Sequence, residues 1–332
     1  VSDKNFEIVM INEINPYVKN VVYSINYDST YGKYEDRFKI VENNHIQNST
    51  SKIKITNFDS LEKIDLTNID IIIDSSGKKE DINILKSLPV SAIFLTHPNN
   101  EADINVILGV NEKDLNPNIH KIISTSSCNA TALLPALKLI NDKKEILCGD
   151  ILTVHPLLNH QRVLDGSFVK SDTRDVNCNF EFGRSSTQNI IPNKTTTIKA
   201  CSFVLANINQ NLISSSSLRV PTDTVGAINV SLFTKEKSTK NEIIELFEEY
   251  EKNQNFPIVL NNFEPLVSSD FKKEKFTTII DHRYTDVINN MIKLLVWYDN
   301  EWGYASKVVE ILKYYQDIKK GWVVKLTLFY FI

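Results

Sequence analysis

Cys128 and His155 are the two side chains whose type and setting point most directly to covalent chemistry. The run Ser124-Thr125-Ser126-Ser127-Cys128-Asn129-Ala130-Thr131-Ala132-Leu133-Leu134 follows the apolar pair Ile122-Ile123. It reads as strand, sharp turn, nucleophile, helix. A cysteine in a first helical turn feels the positive end of the helix dipole, which predicts a lowered pKa and a larger thiolate fraction. A thiolate is a nucleophile and can hold an acyl group covalently. His155 lies 27 residues further on, on the strand Leu152-Thr153-Val154-His155, reached after the intervening helix. That order can return an imidazole to the thiol, and imidazole titrates in the right range for a general base. Taken singly, a cysteine or a histidine is more often a core residue. The helix start and the order of elements favour the pair.

Arg219, in Leu218-Arg219-Val220-Pro221-Thr222, is a candidate anion anchor, because a guanidinium meets phosphate through a bidentate fork. The alternative is a surface arginine at an exposed strand end.

These residues need a scaffold, and the periodicities supply one. Phe6 to Ile11, Ile71 to Ile73 and Ala92 to Leu95 are short, β-rich, apolar runs that read as buried strands. A helix is expected over Lys79 to Lys86. Buried strands alternating with helices imply a parallel sheet. From about Ile151 the pattern changes to longer alternating segments, Ala227 to Phe233 and Phe276 to Ile280. These suit a mostly antiparallel sheet with one wet face. Lys240 to Tyr250 is an amphipathic helix, apolar at 243, 246, 247 and 250, with Ser238 or Thr239 as its cap. A last helix is expected from Tyr304 to Ile318. No internal repeat or low-complexity tract is present.

With 332 residues at 42% hydrophobic, the chain can bury a sizeable core in two domains. A net charge of -4 and scattered lysines give no reason to expect nucleic acid. Cys128, Cys148, Cys178 and Cys201 show neither a CxxC pair nor zinc spacing, so no metal is expected and a reducing, cytoplasmic setting is. No N-terminal signal is visible and no apolar run approaches the length of about 20 residues that a membrane helix needs. There are only 9 glycines, the first at Gly32, and no G-x-G-x-x-G anywhere.

The stretches around Cys128 and His155 resemble the phosphorylating glyceraldehyde-3-phosphate dehydrogenase family, and further segments match in the family's order. Gln188-Asn189-Ile190-Ile191-Pro192 resembles the end of its S-shaped loop. Leu218 to Thr222 resembles its phosphate-binding arginine segment. Trp297-Tyr298-Asp299-Asn300-Glu301-Trp302-Gly303-Tyr304 resembles its C-terminal signature. Ile11-Asn12-Glu13 and Asn26 to Gly32 resemble the second strand of the cofactor domain and the segment after that strand. The fold implied is α/β: a Rossmann-like NAD-binding domain lacking its first strand and glycine loop, and an α+β catalytic domain with a mostly antiparallel sheet. The boundaries expected are residues 1–127 with 304–332 for the first and 128–303 for the second.

The resemblance implies NAD as cofactor, with a phosphorylated aldehyde and inorganic phosphate as reactants in a homotetramer of glycolysis. Cys128 would form a thiohemiacetal and then a thioester, with His155 as base. Asn12, Glu13, Ser76, Thr96, Asn300 and Tyr304 are the cofactor-binding candidates. Glu13 follows a strand and is placed to accept ribose hydroxyls, its charge favouring NAD over NADP. Ser127, Asn129, Thr195, Thr196 and Arg219 are the phosphate candidates. Glyceraldehyde 3-phosphate is the first-choice substrate, with erythrose 4-phosphate as an alternative and an inactive homologue acting as a subunit or binding protein as another. Asn129 and Leu158 stand where the family has threonines, His160 where an aspartate or similar polar residue is usual, and Phe182 where it has an arginine, although Arg184 is kept. Losing a cation and two hydroxyls should weaken phosphate binding, at about 1.5–3 kcal/mol per charge-assisted bond.

The chain starts about 25 residues too late for the family's first strand and glycine loop, judging by the size of a βαβ unit. Three expectations accommodate this: a fragment of a longer product, a shortened pseudoenzyme, or another segment filling the gap. The strand-like tail Gly321 to Ile332 is the candidate for the last. Its bland alternative is an exposed, aggregation-prone extension.

Overall fold

In the computed structural model, residues 6–42, 44–78, 80–167, 180–319 and 324–330 are described. They fall into two units. One gathers residues within Val1–Val106, Lys113–Ser126 and Val308–Ile332, and the other Ile107–Glu112 and Ser127–Lys307.

In the first unit, β1 (Phe6–Glu13) sends side chains into two cores. Met10 joins Ile72, Leu85 and Ile93 on one face. Ile11 joins Val21, Ile46, Ile53 and Ile55 on the other. Val9 packs with Met10 and Ile8 with Ile11, because the pairing of β1 with β19 shifts register between Ile8 and Met10 and interrupts the period of two there. Helix α1 (Val18–Asn26) comes next, then a small hairpin of β2 (Tyr27–Asp28) and β3 (Gly32–Lys33). After it come β4 (Lys39–Val41), β5 (His45–Gln47) and β6 (Lys52–Thr56). Strand β7 (Ile71–Asp74) is buried at every residue, as a strand covered on both faces must be. Helix α2 (Ile82–Ser87) starts where Asp81 accepts from the Asn83 N–H at 2.8 Å. It begins later than the sequence pattern predicts, because Asp81 offers a cap. Lys79 lies outside the described residues. Strands β8 (Ala92–Leu95), β9 (Ile104–Asn105) and β10 (Ile122–Ser124) complete the run.

The second unit opens with α3 (Cys128–Lys144), capped by Ser127, whose side chain accepts from the Ala130 N–H. It is buried through Ala130 to Leu137 and at Ile140, as a helix apolar on all sides should be. The sheet against it contains β11 (Ile146–His155), β12 (Ile191–Asn193), β13 (Ile213–Arg219) and β14 (Gly226–Thr234). It continues with β15 (Val259–Asn262), β16 (Thr278–Asp281), β17 (Asp286–Ile288) and β18 (Met291–Tyr298). Among the described residues the order is β12-β13-β11-β14-β18-β16-β15, with β17 on β18. Most pairs are antiparallel, and β11·β13 and β15·β16 are parallel. In β18 the buried Ile292, Leu294, Val296 and Tyr298 alternate with half-buried neighbours. Helix α4 (Thr197–Ser202) precedes β13. Helix α5 (Lys240–Asn253) carries the full capping box of Thr239 and Glu242, and it buries Ile243 and Phe247.

Helix α6 (Trp302–Lys319) starts in the second unit and ends in the first. There the Tyr315 ring meets Phe94 edge-on at 5.4 Å. Strand β19 (Val324–Tyr330) then enters the first sheet between β1 and β7, parallel to both. The order among the described residues is β4-β5-β6-β1-β19-β7-β8-β10-β9. Register runs from Phe6↔Val324 to Glu13↔Tyr330 on one side and from Leu326↔Ile71 to Phe329↔Asp74 on the other. Leu326 and Thr327 are buried, and Leu328 packs with Ile11 and its neighbours. The Asp70 N–H donates to the Lys325 carbonyl at 3.0 Å, and the Lys325 N–H donates to the Asp70 carboxylate at 2.8 Å. Residues 324–330 are therefore the segment that fills the central gap, and the reading of them as an exposed extension does not hold. The physical reason is backbone accounting: without β19, both β1 and β7 would present unpaired N–H and C=O groups inside the sheet.

Each lost ladder bond costs about 1 kcal/mol and each buried leucine about 2, a sum comparable with the whole stability of a domain. Deleting residues 320–332 should therefore lower the first unit's melting temperature by at least ~5 °C and expose β1 and β7 amides to hydrogen exchange. A synthetic peptide of the same residues should restore protection. Unchanged exchange at β1 and β7 after deletion would sink this account of β19.

Candidate active site

The turn that delivers Cys128 is tight. Ser126 takes a positive φ of 61°, uncommon for a residue with a side chain. Ser127 then caps α3, so Cys128 is the first helical residue, half-buried. Its Sγ lies 3.9 Å from His155 Nε2. His155 ends β11 and is buried. Its Nδ1 lies 2.9 Å from the Pro156 carbonyl oxygen. A carbonyl only accepts, so Nδ1 carries the hydrogen and Nε2 turns a lone pair to the sulfur. The pair expected from sequence is brought together in the form a general base needs.

Arg219 stands beside it, opposite His155 in the β11·β13 register. Its Nε and Nη1 are buried with no hydrogen-bond partner among the described residues. Interior guanidinium donors left bare are costly, and an anion would satisfy them. Their charge acts on both partners. Burial pushes the Cys128 thiol above the ordinary cysteine range, and Arg219 only partly offsets it. This corrects the expectation of a lowered thiol pKa: desolvation outweighs the helix terminus. Burial, then Arg219, lowers His155 to about 4. The resting pair is neutral thiol and neutral imidazole.

The phosphate candidates are not equivalent. The Ser127 hydroxyl accepts from the Ala130 N–H at 3.3 Å. Asn129 Oδ1 accepts from the Tyr298 hydroxyl at 2.6 Å and lies 3.5 Å from Cys128 Sγ. Asn129 Nδ2 donates to Thr197 Oγ1 at 3.3 Å, and Thr197 Oγ1 lies 2.6 Å from Thr195 Oγ1. Thr196 is exposed, next to the start of α4, with no side-chain cap bond. His160 is exposed on the turn after β11, edge-on to the buried Phe182 at 5.5 Å. Burial and Arg219 lower its pKa too. Tyr298 and Thr197 were missed from sequence. The alternation of β18, which points Tyr298 inward, was the available signal for the first. Nothing local marked the second.

Two cofactor candidates lie in this unit. Asn300 Oδ1 accepts from the Val225 N–H at 3.1 Å and from Thr224 Oγ1 at 3.2 Å, bracing a turn where Val225 has a positive φ of 67°. Tyr304 is half-buried in the first turn of α6.

The other four lie at the carboxyl ends of the first sheet's strands, where doubly wound sheets bind ligands. Glu13 ends β1 and is buried. Its Oε1 accepts from the Asn15 N–H at 3.0 Å, while Oε2 has no partner among the described residues. A buried, unpartnered carboxylate oxygen there fits a ribose hydroxyl of a dinucleotide. Ser76 and Thr96 both turn to Asp74: Ser76 Oγ donates to its carboxylate at 2.6 Å, and Thr96 Oγ1 to its carbonyl at 3.3 Å. Asn12 is bonded within the fold. It donates to the Phe58 carbonyl at 2.8 Å and accepts from Thr56 Oγ1 and the Phe58 N–H at 2.9 and 2.8 Å. It staples β1 to the segment after β6 through Oδ1 and one N–H of its amide. Strand β19 ends between Glu13 and Asp74 with no glycine of its own.

Among the described residues no group of three or more His, Cys, Asp or Glu is placed to hold a metal ion. No helix there is long and apolar enough to cross a membrane. Cys178 lies outside the described residues.

Comparison with known proteins agrees with this geometry. Residues 127–300 match the model described as glyceraldehyde 3-phosphate dehydrogenase, C-terminal domain, and residues 1–82 match its NAD binding domain. The chain is 32% identical over 326 residues to the chloroplastic glyceraldehyde-3-phosphate dehydrogenase A of Chlamydomonas reinhardtii, covering 96% of this chain and 83% of that protein. It is 33% identical over 319 residues to the glyceraldehyde-3-phosphate dehydrogenase of Buchnera aphidicola subsp. Schizaphis graminum, covering 93% and 91%. To glyceraldehyde-3-phosphate dehydrogenase 1 of Bacillus subtilis it is 29% identical over 326 residues, covering 97% and 93%. With a thiol and imidazole in reach, an anion-ready arginine beside them, and both family domains matched, the chain belongs to the glyceraldehyde-3-phosphate dehydrogenase family.

Proposed function

We propose that the chain oxidises glyceraldehyde 3-phosphate with NAD and transfers the acyl group to inorganic phosphate. The observation that carries this is the lone pair of His155 Nε2 facing Cys128 Sγ, with Arg219 bare beside both. Cys128 attacks the aldehyde carbon while His155 takes the thiol proton and returns it to the carbonyl oxygen, giving a thiohemiacetal. The first backbone N–H groups of α3 lie next to the nucleophile in the chain and would stabilise the developing oxyanion. His155 then takes the hydroxyl proton. When bound, NAD supplies the acceptor for the aldehyde hydride, which leaves a thioester on Cys128. Phosphate attacks that carbonyl, the sulfur leaves, and imidazolium reprotonates it. A thioester remains a reactive acyl donor, which an ester on serine would not. Arg219 holds the phosphate of the substrate, and Glu13 holds the adenosine ribose. A homotetramer, a cytoplasmic setting and a place in glycolysis complete the reading, on family membership.

Erythrose 4-phosphate is the second reading. The charge of Arg219 reaches His160, which stands edge-on to Phe182, and with Leu158 these two stand where the family has polar or charged groups, a change that permits a longer aldehyde. A non-catalytic subunit or binding protein is the third, motivated by the altered phosphate anchors and by a sequence that contains no G-x-G-x-x-G. NAD titration separates it from the first two.

A single-turnover burst of NADH should appear on mixing with NAD and the preferred aldehyde, and Cys128→Ala should abolish it. His155→Ala should slow it by about 10²–10⁴-fold. A burst surviving in Cys128→Ala removes the thiol mechanism. Arg219→Leu should raise KM for the aldehyde by about 10- to 100-fold, the worth of a charge-assisted bond or two, with a smaller effect on kcat. An unchanged KM would show that the phosphate binds elsewhere. The rate of Cys128 alkylation in the free protein should climb only above the ordinary cysteine range. No step is expected between pH 5 and 7, because His155 titrates at about 4. An inflection near pH 6 would mean that a thiolate–imidazolium pair forms instead.

A further inference from the structure

Asn129 joins three groups that no single side chain of another type would join in this way. Its carbonyl oxygen receives the Tyr298 hydroxyl at 2.6 Å and lies 3.5 Å from Cys128 Sγ. Its amide nitrogen donates to Thr197 Oγ1 at 3.3 Å, and Thr195 Oγ1 lies 2.6 Å beyond. Tyr298 cannot retreat: it is buried, and a Cβ at Gly226 would lie 2.5 Å from its ring. The hydroxyl therefore has a fixed origin, and Asn129 is pinned between it and the two threonines.

We propose that Asn129 is a positioning residue that reads the protonation state of Cys128, holding the neutral thiol through Oδ1 and turning its amide over to hold the thiolate through Nδ2. This rests on the reading of Cys128 as the nucleophile. The chemistry requires two states. A carbonyl oxygen accepts from S–H but repels S⁻, whereas an amide N–H does the opposite. A threonine hydroxyl and a tyrosine hydroxyl both donate and accept. The neighbours on either side of Asn129 can therefore exchange roles when the amide turns. The other charged or titratable groups facing the thiol are His155 from β11, Arg219 from β13, Tyr298 from β18 and Glu301 after it. Of these, Arg219 favours the thiolate and Glu301 opposes it. The Tyr298 hydroxyl is already given to Asn129 Oδ1 and His155 Nε2 presents a lone pair, which leaves the Asn129 amide as the group that changes from acceptor to donor beside the sulfur. With the amide as described, its oxygen favours the un-ionised thiol, and the turn to Nδ2 must first break the bonds to Tyr298 and Thr197, which sets the cost of ionisation.

The test is the pH profile of Cys128 alkylation by iodoacetamide in the free protein, without NAD or aldehyde. Its outcome stands apart from the NADH burst that tests the function. Asn129→Thr supplies a hydroxyl that can donate to sulfur without a carbonyl that opposes S⁻. It should shift the midpoint to lower pH, raising the rate at neutral pH by about tenfold per pKa unit moved. Asn129→Asp supplies acceptors only and should shift it to higher pH. The threonine arm decides, since the aspartate charge alone would raise the midpoint. A merely structural role would scale the rate at every pH and leave the midpoint in place. Should Asn129→Asp fail to fold, Asn129→Ser replaces it and must shift in the same direction as Asn129→Thr. A midpoint unmoved in folded Asn129→Thr, or moved upward, overturns the proposal.

Discussion

The parallel pairing of β11 with β13 is the interaction on which the site depends. It sets His155 and Arg219 at matching positions on neighbouring strand ends. The antiparallel pairing of β11 with β14, and of β14 with β18, then carries Tyr298 to the same end of the sheet. Helix α3 packs on this sheet, where Thr278 Oγ1 donates to the Ala132 carbonyl at 2.8 Å, and so the start of α3 delivers Cys128 to the same place. A one-residue slip of any of these strands would turn its functional side chain to the opposite face.

The electrostatics result from that packing. An interior arginine with bare nitrogens is unfavourable until an anion arrives, and until then its field lies on the thiol and the imidazole. It favours a thiolate and disfavours an imidazolium. Burial opposes charge on either group. The result is a resting site held neutral apart from Arg219.

The first sheet solves a different problem. A doubly wound sheet needs a strand in its middle, and the backbone of β1 and β7 demands a partner irrespective of where in the chain it comes from. Strand β19 meets that demand through alternating residues, with Leu326 and Thr327 buried and Lys325 exposed. Glu13 then stands at the sheet's carboxyl edge with one oxygen unpartnered. That carboxyl edge is where doubly wound sheets bind ligands.

Much of this was legible in the sequence, because its signals are local. The helix start at Cys128 needed only Ser127 and the apolar run after it. The capping box before α5 was written in Thr239 and Glu242, and the inward face of β18 in its alternation. His155 and Arg219 were legible by type and order within matching segments. What the tertiary structure decided is non-local. Asn129 and Tyr298 are 169 positions apart, and no periodicity relates them. That Asn12 is bonded to Thr56 and Phe58 depends on which strand lies beside β1. The direction of the Cys128 shift turned on burial, a property of everything packed around the sulfur, and it reversed what the helix terminus alone predicted. The place of β19 was decided by two strand edges, bonded to it across 255 and 317 positions of chain, since a strand's partner is chosen by unpaired backbone and not by its own sequence.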